Sequence, residues 1–454
     1  MTSNTFLNDQ TPPITCPIFT ASKTTPQSPA LLYNSQLSTY ESLHREIDEL
    51  CQHYISLGIR ESDQLILLIE NKKNLILSIW ALFRLRVTVF CIDPKQRSFL
   101  SPIITLYRPK ALVLDDPIHR IRLGMCETDT ISYTKTARPR YIHNTFFEEQ
   151  QATLIQTSGS TGTPKIARHT FGNHYHSALA SNTFLKLTEN GRYLLTLPLF
   201  HVSGLAPLFR TFFSGACLVI DDAKPLLDTI KTHSITHVSL VGYQLYQLLK
   251  HDFTKQDHLS LRAVLLGGSA IKDTLIQKGI RAGLPLYKSY GSTELSSQIY
   301  TESCCDGCNN SSIFSRIRQL KVSPSGELLI KGKTLFSGYL TRPNEYRLLL
   351  DSEGYFATGD LAALNKQGLR ILGRKDRLFI SGGKNISPEE IEYYLNAFES
   401  IISAKVLEKK DPAFGSRPKA ILRVAPAFTL QKLLVFLKKN LPKYKLPDWY
   451  EIYS

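Results

Sequence analysis

The chain has 454 residues, more than a single hydrophobic core usually holds, so we expect at least two domains. Hydrophobic residues make up 43% and charged residues 20%, a balance typical of a globular protein rather than a disordered one. Lys and Arg number 54 against 39 Asp and Glu, and this net charge of +15 suits anionic ligands; because no run of five basic residues occurs, we expect no nucleic-acid partner.

Short β-branched segments alternate with amphipathic ones along most of the chain, which predicts mostly parallel sheets covered by helices. We expect strands at 65–70, 87–92, 111–114, 152–155, 193–197, 216–220, 237–240, 263–266 and 286–289. We expect helices at 75–84, 204–213, 226–233, 243–251 and 271–282. The predicted fold class is α/β, with a large N-terminal body.

The pattern changes at a charged, turn-prone segment, GRKDR, at 373–377. Beyond it we expect a helix at 387–395, strands at 402–407 and 420–424, and a last helix at 430–440. We therefore predict a body of residues 1–375 and a small, mobile α+β lid of residues 376–454, which is within the usual size range of domains.

Two features bear on the compartment. No apolar stretch is long enough to span a bilayer, and the polar start of the chain lacks the pattern of a secretory signal. Five isolated cysteines fit a reducing compartment, so we predict a cytoplasmic protein without stable membrane insertion. Cys304, Cys305 and Cys308 form a cluster without a second ligand pair at zinc-finger spacing, which favours a solvated loop over a zinc site.

The densest functional signal is a loop after the strand predicted at 152–155. Its sequence is Thr157-Ser158-Gly159-Ser160-Thr161-Gly162-Thr163-Pro164-Lys165. Backbone N–H groups and hydroxyls of such a loop can surround phosphate oxygens, and the Lys adds a positive charge. It differs from the Walker pattern because Pro precedes the Lys and Ile follows it; a polar surface turn is the alternative. The loop resembles the phosphate-binding signature of the adenylate-forming (AMP-binding) superfamily, which includes acyl-CoA synthetases, peptide-synthetase adenylation domains and luciferases.

Further segments resemble family signatures in the expected order, between about residues 30 and 447. A strand that ends in Gly and small hydroxyls lets a nucleotide approach the backbone, and a carboxylate beside it can hold Mg²⁺ on the phosphates. The resemblance implies that Thr293 contacts the α-phosphate and that Glu294, with Thr161, holds the metal; a helix N-terminal charge is the alternative for Glu294. The segments are Tyr290-Gly291-Ser292-Thr293-Glu294 and, for the adenine and acyl pocket, Gly267-Gly268-Ser269-Ala270.

Three more segments resemble family motifs near the predicted boundary. Asp360 matches the residue that accepts the ribose hydroxyls, and Arg374 resembles the ribose-contacting arginine. Asp376 matches the hinge about which the small domain rotates between two half-reactions; a solvated charge is the alternative. A turn that lines the CoA tunnel in the family is matched here by Ser381-Gly382-Gly383-Lys384-Asn385, with a surface hairpin as the alternative.

Two segments bear on which carboxylic acid would be the substrate. They are LPLFHVSGL at 197–205 and YGSTELSSQ at 290–298. Both look most like the o-succinylbenzoate–CoA ligase branch, which acts in menaquinone synthesis. His201 is predicted to orient or polarise the acyl substrate, with a structural histidine as the alternative. Arg210 or Lys288 is a candidate partner for a second substrate carboxylate, with surface charge as the default for each.

The resemblance implies a two-step ligase that uses ATP, Mg²⁺ and CoA, with His201, Thr293 and Glu294 as its catalytic residues. One departure concerns the end of the chain. Family members usually carry a Gly-Lys segment beyond a motif like that at 441–447, whereas this chain stops at Ser454, so we expect a shortened lid and slow adenylation unless another cation substitutes. A degenerate nucleotide or acyl-adenylate binder, a fatty or aryl acid–CoA ligase and a carrier-loading module are the alternatives. We make no prediction of oligomeric state.

Overall fold

The computed structural model describes residues 12–115, 121–125, 142–157, 165–250, 260–268, 271–305, 317–365 and 368–453, with backbone alone for 97–99 and 121–125. Its α-helices are α1 Pro17–Thr24, α2 Tyr40–Ser56, α3 Lys72–Arg84, α4 Leu100–Tyr107, α5 Phe171–Leu185, α6 Val202–Phe213, α7 Leu226–Thr232, α8 Gly242–Leu248, α9 Asp273–Arg281, α10 Pro388–Ala397 and α11 Leu430–Asn440.

The strands are β1 Ile14–Thr15, β2 Pro29–Tyr33, β3 Gln36–Thr39, β4 Gln64–Leu68, β5 Thr88–Cys91, β6 Ala111–Asp115, β7 Ile121–Met125, β8 Thr145–Phe146, β9 Gln151–Thr157, β10 Lys165–Thr170, β11 Arg192–Leu194, β12 Cys217–Ile220, β13 His237–Leu240, β14 Ala263–Leu266, β15 Leu286–Ser292, β16 Ser297–Ser303, β17 Arg318–Val322, β18 Glu327–Gly332, β19 Gly338–Arg342, β20 Glu345–Arg347, β21 Phe356–Asn365, β22 Gly368–Arg374, β23 Phe379–Ser381, β24 Lys384–Ile386, β25 Ile401–Asp411, β26 Gly415–Val424 and β27 Trp449–Tyr453.

Two eight-stranded sheets form the body. One has the order β20-β19-β10-β9-β5-β4-β6-β7, and the other has the order β16-β15-β14-β13-β11-β12-β2-β3. In the first sheet β9, β5, β4 and β6 pair in parallel, and the strands on either side of them pair antiparallel. In the second sheet all pairs are parallel except those of the edge strands β16 and β3. Ligands of such sheets bind outside the carboxyl ends of the parallel strands. Those ends therefore mark where a site is expected.

The helices begin where the local sequence satisfies their first N–H groups. The Thr39 side chain accepts from the backbone of the first turn of α2, and Asn71 does the same for α3. Thr170 opens α5 with a reciprocal capping box, and Ser387 caps α10, whose first turn carries two glutamates. Such caps satisfy backbone donors that have no partner inside the helix.

The largest apolar cluster lies where α3, α5 and α6 pack together. The indole of Trp80 is fully buried among five phenylalanine rings, at centroid distances of 5.5 to 6.4 Å. Each fully buried aromatic side chain removes a large apolar area from water. The same cluster includes buried residues of both large sheets, such as Leu67 of β4 and Leu218 of β12, so it fixes the position of one sheet relative to the other.

Residues 317–374 and the C-terminal part form smaller sheets. β17, β18, β21 and β22 make an antiparallel sheet of four strands. Past it, α10 and α11 pack on β25, β26 and β27 around a separate core of twelve buried apolar residues between 379 and 441. We call residues 376–453 the lid; the boundary between residues 375 and 376 stays a prediction.

The structure confirms the α/β class and the large body with a smaller C-terminal part. The predicted helix at 430–440 matches α11, and the strands at 237–240 and 263–266 match β13 and β14. The antiparallel sheet at 318–374 and the third lid strand β27 were not predicted, because their short strands mix charged and apolar residues without clean alternation. Within the described part of the chain, none of the helices has the length and apolarity needed to cross a membrane.

Candidate active site

A sharp bend follows the carboxyl end of β15. The chain turns through a single 3₁₀ turn, Thr293–Leu295, and returns as the antiparallel strand β16. A Cβ on Gly291 would lie 2.1 Å from the carbonyl oxygen of Ser297, so glycine is required for this close approach. The bend presents Thr293 and Glu294 at the edge of the second large sheet.

The bend meets the two ends of the predicted phosphate loop. Thr157 ends β9, and Lys165 opens β10 directly opposite it. The Lys165 ammonium lies 5.1 Å from the ring centroid of Tyr339, whose hydroxyl donates to Oε1 of Glu294 at 2.6 Å. Burial, reinforced by the Glu294 carboxylate, raises the pKa of Tyr339, so its hydroxyl stays protonated and donates. The loop residues Ser158, Gly159, Ser160, Thr161 and Gly162 lie outside the described residues.

A buried histidine forms a hydrogen bond to the backbone of the same bend. The Nε2 atom of His169 on β10 donates to the carbonyl oxygen of Thr293 at 2.7 Å. Burial lowers the pKa of His169 to about 4, although the bond to Thr293 opposes this shift. The ring is therefore neutral and carries its proton on Nε2. His169 links the strand after the phosphate loop to the strand that carries Glu294.

A second polar cluster surrounds Asp360 on β21. Tyr290 donates its hydroxyl to Oδ2, and Nη1 of Arg374 donates to Oδ1 at 3.1 Å. Burial raises the pKa of Asp360, while its bonds to Tyr290 and Arg374 oppose that shift. The three predicted residues thus lie together, and the cluster can accept hydroxyl donors of a sugar beside the β15 bend.

The remaining pocket segment follows β14. Gly268 is exposed just beyond the end of that strand with φ near 90°, and Ser269 and Ala270 lie outside the described residues. The carboxyl ends of β14 and β15 are neighbours, because Leu266 pairs with Lys288 in parallel register. Gly268 is therefore on the same edge of the sheet as the β15 bend.

The predicted hinge lies between two ion pairs that attach to different parts of the chain. Lys375 pairs with Glu327 of β18 at 2.7 Å, whereas Arg377 pairs with Glu389 and Glu392 of α10 at 2.7 and 2.8 Å. Asp376 stands between them and contacts Arg374 at 3.1 Å. Backbone rotation at this residue would turn the lid while leaving both sets of ion pairs intact.

The predicted CoA segment is a tight hairpin of the lid. Gly382 and Gly383 have φ of 52° and 76° and join β23 to β24 in a two-residue loop, a conformation in which glycine is favoured at both positions. Ser381 is buried and accepts from Arg417 at 3.4 Å. The Lys384 ammonium lies 4.4 Å from the ring centroid of Tyr444.

The residues considered for the acyl substrate differ in exposure. His201 precedes α6 with its ring 4.8 Å from that of Phe200, and Lys288 is exposed. The default for Arg210, surface charge, is wrong: the residue is buried on the inner face of α6, where it donates to the hydroxyls of Tyr193 at 3.1 Å and Ser297 at 3.0 Å. No carboxylate among the described residues forms an ion pair with it.

The site offers few side chains that could be metal ligands. The described residues contain no group of three or more acidic, histidine or cysteine side chains that could hold a metal. Magnesium on nucleotide phosphates typically uses one or two protein carboxylates, substrate oxygens and water. The half-buried Glu294 carboxylate fits this chemistry, whereas Cys304 and Cys305 are free thiols and Cys308 is outside the described residues.

The family model of AMP-binding enzymes matches residues 18–340, which contain the phosphate loop and the β15 bend. The chain belongs to the AMP-binding enzyme family. Within this family, the 2-succinylbenzoate–CoA ligase of Bacillus pumilus is 31% identical over 448 residues, covering 93% of this chain and 90% of the relative.

Solved family members from Bacillus subtilis have similar folds. The o-succinylbenzoate CoA synthetase (MenE) in complex with the acyl-adenylate OSB-AMP is 27% identical, with a TM-score of 0.82 over 98% of this chain and 95% of that chain. The complex of the same enzyme with ATP and magnesium is 26% identical and gives 0.81 over 97% and 96%. A double mutant bound to the product analogue OSB-NCoA is 28% identical but gives 0.68 over 98% and 95%.

Two residues of the site, Tyr339 and His169, had no role assigned from the sequence. Arg210 was named as a candidate partner for a second substrate carboxylate, but its burial was not expected, because surface charge was its default. A weak signal existed for His169, because it follows the apolar pair Ile166 and Ala167 in a strand that is buried on both sides. Tyr339 and Arg210 act through contacts with residues more than forty positions away, which spacing along the chain does not reveal.

Proposed function

We propose that this chain is an ATP-dependent 2-succinylbenzoate–CoA ligase. A substrate carboxylate oxygen attacks the α-phosphorus of ATP, pyrophosphate leaves, and an acyl-adenylate forms. The CoA thiolate then attacks the acyl carbon, the bond to the phosphate oxygen breaks, and AMP leaves. Family membership, the relatives named above and the position of Lys165 beside Tyr339, whose hydroxyl bonds Glu294, support this assignment.

The nucleotide is held by residues from both large sheets. Asp360 accepts the ribose hydroxyls, and Arg374 and Tyr290 fix the orientation of its carboxylate. Thr293, the loop from Thr157 to Gly162 and Lys165 contact the phosphates. The backbone of Gly268, Gly291 and Ser292 leaves room for the base and the acyl group, which Ser269 and Ala270 also contact. Positioning of this kind supplies much of the rate of group transfer.

Magnesium would be held by Glu294, with Thr161 as a second ligand, and would neutralise charge on the phosphates of ATP. Tyr339 donates to one oxygen of Glu294 and thereby fixes the carboxylate plane. His169 fixes the backbone of Thr293, so the two residues that contact phosphate and metal are oriented before ATP binds.

The lid serves the second step. We propose that it rotates about Asp376, bringing the Ser381–Lys384 turn to the pantetheine chain of CoA. Two observations support this: the ion pairs on either side of Asp376 attach to different parts of the chain, and similarity is lower to the complex with a product analogue than to those with ATP or an acyl-adenylate. Rotation lets one site serve both steps and excludes water from the adenylate.

Buried Arg210 is the observation that carries the substrate assignment. A guanidinium buried without a carboxylate partner is costly, so an anion is expected to complete its environment. Arg210 contacts Ser297, three residues beyond Glu294, which places a cation behind the reaction centre. A dicarboxylic acid such as 2-succinylbenzoate satisfies this arrangement, since one carboxylate is activated while the other approaches Arg210. His201, at the start of the same helix, would orient the acyl chain.

The test measures CoA thioester and AMP by mass spectrometry with ATP, magnesium, CoA and a panel of acids. The panel contains 2-succinylbenzoate, two analogues that each lack one of its carboxylates, aryl acids and fatty acids. We expect the dicarboxylate to be preferred. Arg210→Gln should reduce kcat/KM for it by about tenfold or more, because a charge-assisted hydrogen bond is lost. The exposed Arg347→Gln is the control.

Each other outcome favours an alternative. A monocarboxylic acid as the best substrate, insensitive to Arg210→Gln, would favour an aryl or fatty acid–CoA ligase. Tight binding of ATP with no product from any acid would favour a degenerate nucleotide binder. Transfer to a carrier protein but not to CoA would favour a loading module.

We also propose that the protein acts in the cytoplasm. The six described cysteines are free thiols, and four of them are buried, which agrees with a reducing compartment. Fractionation of cells that express a tagged full-length chain tests this assignment, and recovery in a membrane or secreted fraction would contradict it.

A further inference from the structure

A second cavity opens at the amino ends of the parallel strands in the first large sheet. It has a volume of about 440 Å³ and is lined by residues at the starts of β4, β5 and β9, together with residues of β10 and β20. The phosphate loop follows the opposite, carboxyl end of β9. The cavity is therefore at the opposite end of these strands from the candidate active site.

Buried polar atoms without partners are concentrated around this cavity. Among the described residues, fifteen buried side-chain nitrogen or oxygen atoms have no hydrogen-bond partner, and five of them belong to residues that line it: Gln64, Arg86, Gln150, Arg168 and Tyr346. The Tyr346 hydroxyl lies beside Gln64, but the two do not form a bond of normal geometry. Buried polar groups almost always have hydrogen-bond partners in folded proteins, so a polar ligand is expected in the cavity.

The charged side chains of the cavity indicate the charge of the expected ligand. The guanidinium carbon of Arg168 lies over the ring of Tyr346, 3.8 Å from its centroid, and Arg168 forms no ion pair with a described residue. Arg86 lies 4.7 Å from the ring centroid of Phe147 and is neutralised by Glu61 at 3.0 Å. Glu149 is exposed at the rim. One planar cation is thus left without a counter-charge.

The uncharged side chains of the cavity indicate which other groups the ligand carries. Gln150 donates its amide N–H to the carbonyl of Phe83 at 3.0 Å, which leaves its oxygen as an acceptor, and the oxygen of Gln64 is a second acceptor. We propose that this cavity is a second ligand site, which binds a small carboxylate or phosphate that also carries O–H or N–H donors. The oxyanion pairs with Arg168, and the donors bond the two glutamine oxygens. A stacked guanidinium is well suited to planar recognition of such anions.

The experiment titrates the full chain by calorimetry with inorganic phosphate, with malate and, as a neutral control, with glycerol. Saturating AMP is present throughout so that the nucleotide site is occupied. Phosphate tests for recognition of a phosphate group, and malate tests for recognition of a carboxylate. We expect saturable binding of at least one of them and none of glycerol. Crystals grown with the bound probe should show its oxyanion at the Arg168 guanidinium.

Arg168→Gln should weaken this binding by about tenfold or more, since a bond to a charged group is lost. Arg347→Gln, an exposed change on β20 of the same sheet, should leave it unchanged. If Arg168→Gln does not fold, Arg168→Lys keeps the charge but loses the planar stack, and weaker binding than in the wild type is expected. Ordered water alone in the cavity, no saturable binding of phosphate or malate, or binding that is insensitive to both substitutions would overturn the proposal.

Discussion

The body and the lid hold their functional residues in different ways. In the body, Glu294, Asp360 and Thr293 are fixed by hydrogen bonds to residues that are distant in the sequence. In the lid, the Ser381–Lys384 turn depends on a core of twelve buried apolar residues and on contacts within the lid. If the lid rotates as proposed, this difference suits a rigid site for the first half-reaction and a small unit that moves as one piece for the second.

The largest expected effect is on the rigid site. Glu294→Gln keeps the shape of the side chain and can still accept from Tyr339, but removes the negative charge proposed to hold magnesium. Pyrophosphate release with ATP and acid should fall by roughly 10²–10³-fold, the scale seen when one preorganised electrostatic group is lost. Thioester formation from supplied acyl-adenylate and CoA should change little, because that step no longer involves the pyrophosphate group.

The control is Glu345→Gln, an exposed change on β20 that should affect neither half-reaction. Equal loss of both half-reactions in Glu294→Gln would mean that the residue holds the shape of the body rather than the metal. The division of labour between body and lid would then lack its main support.

Loss of stability through histidine protonation should be confined to the body, since residues 376–454 contain no histidine. The pKa of His169 in the folded state, about 4, is below the ordinary value of 6.5, so folding disfavours its protonation. The associated stability is fully present above pH 6.5 and is lost as pH falls toward 4, by about 3 kcal/mol for a shift of this size. Urea unfolding of wild type and His169→Gln across this range measures the difference.

Glutamine can still donate to the carbonyl of Thr293 but does not titrate. We therefore expect His169→Gln to flatten the acid dependence, while the exposed His53→Gln should leave it as in the wild type. An unchanged slope in His169→Gln would show that other groups, such as buried His174, account for the loss of stability in acid.

The same contrast explains what the sequence could predict. The Asp360–Arg374–Tyr290 cluster was predicted from motifs, and the structure brings the three residues together because each lies at a strand end or in adjacent strands. Tyr339 was missed, and the burial of Arg210 was not expected, because both depend on packing between distant segments. No local pattern separates a buried arginine on an amphipathic helix from a surface one, since the helix face that it occupies depends on its neighbours.

A further test compares nucleotide binding in the body with CoA use by the lid. Asp360→Asn replaces a carboxylate that is buried against Arg374 and Tyr290, and it should weaken AMP binding by about 10–100-fold, as expected for a lost hydrogen bond to a charged group. Lys384→Ala in the lid turn should raise KM for CoA and leave AMP binding unchanged. Calorimetry with AMP measures the first effect and steady-state kinetics the second.

Asp351→Asn, an exposed change between β20 and β21, is the matched control for the lost negative charge. A similar loss of AMP affinity in Lys384→Ala would contradict the separation of the two sites, because it would mean that the lid turn already contacts the nucleotide in the first step.

The smallest expected effect concerns the contacts that join the two regions. The ammonium of Lys272, just before α9, donates to the carbonyl of Ile401 in the lid, and Tyr393 donates to Asp273 at 3.2 Å. These bonds exist in an orientation that resembles family structures with ATP or acyl-adenylate more than the one with a product analogue. Each is worth about 1 kcal/mol, so Lys272→Met or Tyr393→Phe should slow pyrophosphate release by about fivefold.

Thioester formation from supplied acyl-adenylate should not slow in these variants, and it can accelerate if release of the lid limits that step. Tyr243→Phe, an exposed change on α8 of the body, provides the matched control. Equal slowing of both half-reactions would indicate damage to the fold. If neither half-reaction changed, the two bonds would not determine lid orientation, and other contacts between the two regions, such as the hydrogen bond from the Ser387 hydroxyl before α10 to the carbonyl of Leu372 in β22, would set it.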